Sequence, residues 1–104
     1  MKITILQINT KDEQNITRLF TSMSRLKEMD LEVESSTYRV AYDGVMDVND
    51  VEEVYMKLQG VKPNGYKGHS LSISDIVIMN GKHLFCDSFG FVDVSDKFQT
   101  NKIN

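Results

Sequence analysis

The chain has 104 residues, of which 40% are hydrophobic and 26% charged, with a formal net charge of −3 and a single cysteine. This describes one ordinary globular domain able to bury a core without metal or disulfide staples. Cys86 has no internal disulfide partner, and Met1-Lys2 leads into an alternating segment, not an apolar leader with a small-residue cleavage site. No run approaches the ~20 apolar residues of a membrane helix, so a cytoplasmic protein with no membrane partner is expected.

The net charge hides an asymmetry. Between Glu28 and Glu53 lie nine acidic residues (Glu28, Asp30, Glu32, Glu34, Asp43, Asp47, Asp50, Glu52, Glu53) against one base, Arg39. A nucleic-acid binder concentrates positive charge, so direct nucleic-acid binding is not expected, and a basic protein partner is compatible. An acidic segment of this kind also serves simply as a solvated face.

In chain order, Lys2 to Asn9 alternates Ile3, Ile5 and Gln7 against Thr4, Leu6 and Ile8. Both faces are largely apolar, which predicts a strand inside the sheet. Thr10-Lys11-Asp12-Glu13 fits a capping box, and Ile16, Leu19, Phe20, Met23 and Leu26 continue at helical spacing. An amphipathic helix from about Lys11 to Met29 is predicted, with β-branched and serine residues favouring a break near Phe20–Ser22. Ser36 to Tyr42 predicts a second strand, ended by an Asp43-Gly44 turn. Asp47 to Gln59 predicts a helix with Val51, Val54, Tyr55 and Leu58 on one stripe, Asp47 or Asn49 as cap, and Gly60 as stop.

Asn80-Gly81 between two apolar, β-branched or aromatic runs predicts a two-residue hairpin. Its register pairs Met79 with Lys82, Ile78 with His83, Val77 with Leu84 and Ile76 with Phe85. Continued, it pairs Asp75 with Cys86 and Ser74 with Asp87. Ser72, Ser74, Asp75, Asp87 and Ser88 are thereby expected to form a structural hydrogen-bond latch at the strand ends. Gly90 between Phe89 and Phe91 predicts a bend, with Phe91 packed and Phe89 a candidate partner anchor. The whole predicts an α+β fold: a mostly antiparallel sheet, two helices packed on one side, and a C-terminal hairpin turning at Asn80-Gly81. Residues 1–96 form the single domain, and 97–104 are expected to be a disordered polar tail.

Catalytic patterns are weak. His69 directly precedes Ser70, His83 borders the turn, and no Gly-x-Ser-x-Gly elbow occurs, so no catalytic residues are assigned. A zinc site from His69, His83, Cys86 and Asp87 would need His83 and Cys86 on one strand face, where alternation separates them. Gly65-Tyr66-Lys67-Gly68 lacks phosphate-loop spacing, and Cys86 within a strand reads as an inert core thiol. No metal and no cofactor is expected.

The run Gly68-His69-Ser70-Leu71-Ser72-Ile73-Ser74-Asp75-Ile76-Val77, followed by a hairpin and Asp87-Ser88-Phe89-Gly90-Phe91, resembles the YodL-like domain. Arg18-Leu19-Phe20-Thr21-Ser22 with Leu26, Tyr38 to Tyr42, and Val51-Glu52-Glu53-Val54-Tyr55 extend the resemblance over residues 2 to 95. Departures include Lys62-Pro63 in place of His-Pro and Cys86 in place of a valine. The resemblance implies a setting in bacteria, phages and conjugative elements, where such domains are suspected of countering host defence. It implies a non-enzymatic inhibitor of the anti-CRISPR or antirestriction kind that binds a host nuclease stoichiometrically. An acidic surface could occupy the nuclease's basic channel in place of phosphate. The partner-binding residues expected on that basis are Glu32, Glu34, Asp43, Asp47, Asp50, Glu52, Glu53 and Phe89. The alternative is a housekeeping regulatory module that docks through the hairpin and the Phe89-Gly90-Phe91 corner.

Overall fold

The computed structural model describes residues 1–98. Five strands form one antiparallel sheet in the order β2-β1-β3-β4-β5: β1 (Lys2–Ile8), β2 (Tyr38–Val45), β3 (Ile76–Met79), β4 (Lys82–Cys86) and β5 (Phe91–Asp93). The β3–β4 hairpin has the expected register, from Ile76 opposite Phe85 to Met79 opposite Lys82. Asn80 and Gly81 both have positive φ, 53° and 75°, the backbone that a two-residue turn of matching twist requires.

The α+β class and mostly antiparallel sheet are as expected, but the helices divide between the two faces. Ile3, Ile5, Val77 and Met79 pack with Val54 of α2 (Val51–Lys57) and with Leu58, which caps its C-terminus. The alternate residues Leu6, Ile76 and Phe85 pack with Leu26 of α1 (Met23–Glu28), Val33 and Val94. Because β1 and β3 are apolar on both sides, one helical layer would leave half of each strand wet. Two helices on one face therefore cannot satisfy this sequence.

Local chemistry explains the other differences. The predicted helix from Lys11 is a 3-10 helix over Glu13–Arg18, then a break, then α1. Its cap is Asp12, which accepts from the Gln14 N–H, not Thr10. The break falls at the expected place: Phe20 has φ 57°, and Ser22 caps α1 through the Arg25 N–H. Strand β2 runs through Asp43-Gly44 without turning. The Tyr42 ring lies across Gly44, where a Cβ would stand 2.4 Å from the Tyr42 hydroxyl, so this glycine makes room for an aromatic and does not bend the chain. An extra residue, Ala41, sits between Tyr42 opposite Ile5 and Val40 opposite Leu6, a bulge that turns Ala41 and Tyr42 into the α2-side core. Helix α2 is shorter than predicted. Asp50 accepts from the Glu53 N–H, and Glu53 reaches back to the Asn49 N–H, so the caps fix its start at Val51.

The tail expectation is corrected for its first residues. Ser95–Phe98 form a 3-10 helix, and the Phe98 ring stacks on His83 at 4.5 Å and meets Tyr38 at 5.9 Å. The aromatic ring at position 98 gives the segment an apolar surface to bury. Residues 99–104 lie outside the described residues. Among the described residues no helix is long and apolar enough to cross a membrane.

Candidate functional site

Three segments that are distant in sequence meet at one end of the sheet, where β1 ends, β3 begins and β4 ends. They are residues 18–23, 66–75 and 87–91.

Gln7, the polar residue near the end of β1, is fully buried. Residues Leu6 and Ile76 are the last β1–β3 pair, and one step further Gln7 and Asp75 become cross-strand neighbours. The Gln7 Nε2 amide donates to Asp75 Oδ2 at 3.0 Å and to the His69 carbonyl at 2.9 Å. Tyr66 Oη donates to the same carbonyl at 2.7 Å. Asp75 Oδ2 also accepts the Ser72 N–H at 2.8 Å. Gly68 lies directly on Gln7, for a Cβ there would be 2.0 Å from Gln7 Oε1.

Asp75 is 0% exposed and its Oδ1 has no hydrogen-bond partner among the described residues. His69 Nδ1 is 3.7 Å from Asp75 Oδ2, beyond hydrogen-bond range, and instead lies 2.8 Å from the Ser70 carbonyl. Burial pushes the Asp75 carboxyl up to about 7, against the lowering effects of the Ser72 amide, Gln7 and Arg39. Burial and then the Asp75 carboxyl also raise the Tyr38 phenol, whose Oη donates to the Ser74 carbonyl at 2.6 Å.

Ser74 is bent out of the ladder, with φ 85°. The Ser74 N–H donates to the Cys86 carbonyl, and the Cys86 N–H to the Asp75 carbonyl. One residue of β4 thus serves two residues before β3, and the extrapolated Ser74–Asp87 pairing is lost. Ser74 and Asp87 instead hold different points of the segment before α1: Ser74 Oγ accepts the Phe20 N–H at 3.1 Å, and Asp87 Oδ1 accepts the Met23 N–H at 3.0 Å. Ser72 Oγ turns to the Ser70 carbonyl and the Ser88 N–H to Asp87 Oδ1. Of the five latch residues, Ser72 is tied to Asp75 and Ser88 to Asp87, while Ser74 and Asp87 reach to the segment before α1, so they form local ties and not one clasp.

Little of this polar work is visible in sequence. Gln7, Tyr38 and Tyr66 carry no signal beyond one amide in an apolar strand. Arg18 stands out in sequence only as part of a motif, yet it is buried and donates to the Glu32 carbonyl at 2.7 Å, with Glu34 at 3.5 Å.

The surface of this end is aromatic. Phe20 is 55% exposed and meets His69 edge-on at 5.2 Å. Phe89 is 95% exposed at the tip of the β4–β5 connection, which the Asp87 N–H closes onto the Gly90 carbonyl. Beside it lies a groove of about 370 Å³ lined by Glu52, Tyr55, Met56, Ile73, Asp87 and Phe91, among others.

The acidic residues do not form one surface. Glu32 pairs with Lys97 and Glu34 with Arg18 on the α1 side, while Asp43 binds Lys2 and the Thr4 hydroxyl on the outer strand β2. Asp50 and Glu53 cap α2, on the opposite face. Asp47 and Glu52 make no ion pair among the described residues. The Cys86 thiol is buried and raised to about 11 by burial, then by Asp75 and Asp87, so it is protonated and unreactive at neutral pH.

No curated protein and no solved structure matches the chain. A family profile described as the YodL-like domain matches residues 2–98. That span takes in all three segments that converge at this sheet end, and the chain belongs to the YodL-like domain family.

Proposed function

We propose that this YodL-like domain is a non-catalytic binding module that engages a host protein stoichiometrically through the aromatic sheet end. The observation that carries the reading is Phe89, 95% exposed on a loop tied down through Asp87 to Gly90 and Met23. A large ring held out in water by a fixed loop is a pre-ordered anchor that loses little entropy on docking. Met56 is 72% exposed beside it, and Glu52 supplies a negative rim to the apolar groove. The complementary partner surface is an apolar pocket edged by Lys or Arg.

The finer reading is that the module comes from a phage or mobile element and blocks a nucleic-acid-processing enzyme such as a CRISPR effector nuclease. It rests on the family resemblance and on the basic channels of such enzymes. In this reading Glu52, on the rim of the groove beside the loop, supplies the negative charge and Phe89 the anchor. The other acidic residues serve mainly caps and ion pairs.

Two measurements test these levels separately. Phe89→Ala and Glu52→Lys should each weaken capture of the partner at least tenfold while leaving the unfolding midpoint unchanged. Equal capture by both variants removes the aromatic end as the interface. In cells with active CRISPR interference, expression of the domain should protect a targeted plasmid, and undiminished interference removes the inhibitor reading.

A further inference from the structure

We propose that one proton within the Gln7–His69–Asp75 cluster acts as a latch. Neutral Asp75 clamps residues 66–74 onto β1, and its ionisation loosens that segment together with the hold of Ser74 on Phe20. Donors and acceptors are unequally matched at this carboxyl. Asp75 Oδ2 accepts two hydrogen bonds, from Ser72 N–H and Gln7 Nε2, whereas the buried Oδ1 accepts none among the described residues. A carboxylic acid carrying its proton on Oδ1 keeps both Oδ2 bonds and leaves no buried anion. A carboxylate leaves a charged oxygen without a partner.

No surrounding cation among the described residues bonds Oδ1, and Arg39 favours the anion only through space. On β1 the neighbour is the neutral Gln7. On β2, Tyr38 is spent on the Ser74 carbonyl, and Arg39 donates to the Lys67 carbonyl at 2.7 Å. From the 3-10 helix before α1, Arg18 is committed to the Glu32 carbonyl and Glu34. In the 66–75 segment Tyr66 is spent on the His69 carbonyl, and His69 Nδ1 faces Ser70 O with Asp75 at 3.7 Å. From β4 comes the Cys86 thiol, kept protonated by burial and then by Asp75 and Asp87. Burial accordingly places the titration at about 7.

Ionisation has two ways to satisfy Oδ1, and both disturb the same segment. Either His69 breaks from Ser70 O to approach Asp75, or the 66–74 segment lifts and admits water. His69 packs against the Phe20 ring, and Ser74, next to Asp75, holds the Phe20 N–H. The exposed aromatic is thereby coupled to the proton. The consequence for docking rests on the sheet-end reading above. The tests use the free protein, so either idea can fail alone.

Amide hydrogen exchange of the full chain, normalised to intrinsic rates, should show protection of residues 66–74 and of Phe20 falling at least tenfold between pH 5.5 and 8.5. Protection of Ile76–Met79 should stay constant. Asp75→Asn, which keeps an oxygen acceptor without a titratable proton, should hold protection equal at both pH values. Should that variant not fold, the carboxyl-carbon resonance of Asp75 in the wild-type protein decides the same question. A midpoint near 7, shared by the Ser72 amide and the Gln7 side chain, supports the latch. A midpoint below 5, or unchanged wild-type protection across the range, overturns it.

Discussion

Replacing Gly68 with alanine reverses the usual expectation for an exposed glycine. Gly68 is exposed and its φ is not in the left-handed region, so the general rule predicts a gain of about 0.4–1 kcal/mol from a stiffer unfolded chain. Here the added Cβ would stand 2.0 Å from Gln7 Oε1 and 3.0 Å from its Cδ. Gln7 cannot move aside cheaply, because its Nε2 bonds both Asp75 Oδ2 and the His69 carbonyl. Displacing the amide leaves a buried acceptor short of a donor, at about 1–3 kcal/mol, and forcing the group in costs a similar overpacking penalty. The two are alternative ways of relieving one clash, so the cheaper sets the cost, and after the stiffening gain Gly68→Ala should destabilise by about 0.5–2 kcal/mol net. Urea unfolding at pH 6, with the slope unchanged, measures it. A double variant with Gln7→Ala removes the obstructing amide, and alanine at position 68 should then cost less than about 0.5 kcal/mol. A neutral or stabilising single substitution would refute the account of Gln7 as the immovable centre of this end.

Asp75 gives a pH signature of definite sign. Its carboxyl titrates at about 7 when folded, against 3.8 for the ordinary group, so between those values the folded state holds a proton that the unfolded chain has released. Stability falls as pH rises through this window and is level above it. The upper bound is about 4 kcal/mol, reduced to about 2 by relaxation and water entry. Asp75→Asn should remove this decline, read as the difference between variant and wild type in urea midpoints from pH 5 to 8, and identical slopes would contradict it. Tyr38→Phe removes the 2.6 Å bond to the buried Ser74 carbonyl and should cost about 1–2 kcal/mol with faster exchange at Phe20; unchanged stability and exchange count against that tie. Gly81→Ala, at φ 75°, should cost about 1 kcal/mol in thermal unfolding without altering binding. A stabilising result would mean the turn is not left-handed.

The hairpin was legible because Asn80-Gly81 and the flanking β-branched residues all specify the same register, and β1 because its two-faced apolar alternation has no other reading. The same alternation held the evidence against the expected one-sided helix packing, since a strand wet on neither face demands cover on both. What sequence could not show depends on contacts between distant residues. Gly44 resembles a turn residue until the Tyr42 ring is seen across it. The register beyond Ile76 and Phe85 could not be extended, because the positive φ of Ser74 doubles two residues against Cys86. Gln7 and Asp75, 68 positions apart, become partners only through the sheet order. The acidic residues cluster in sequence, but β2 carries the chain from the α1 face to the α2 face between Glu34 and Asp50, and proximity along the chain is lost in space.

The strand at the margin of the sheet also bears on how this domain tolerates company. An open β-edge invites intermolecular strand pairing, and β2 is long enough to do so. Yet the Ala41 carbonyl at its bulge is already taken by the Lys67 N–H at 2.7 Å, with Arg39 fastened to the Lys67 carbonyl. A newcomer aligning with β2 meets an interrupted template and a bend at its middle. At the other margin β5 offers only three residues. Crowded beside identical copies, or placed in series with other modules, the domain resists being recruited into a larger sheet.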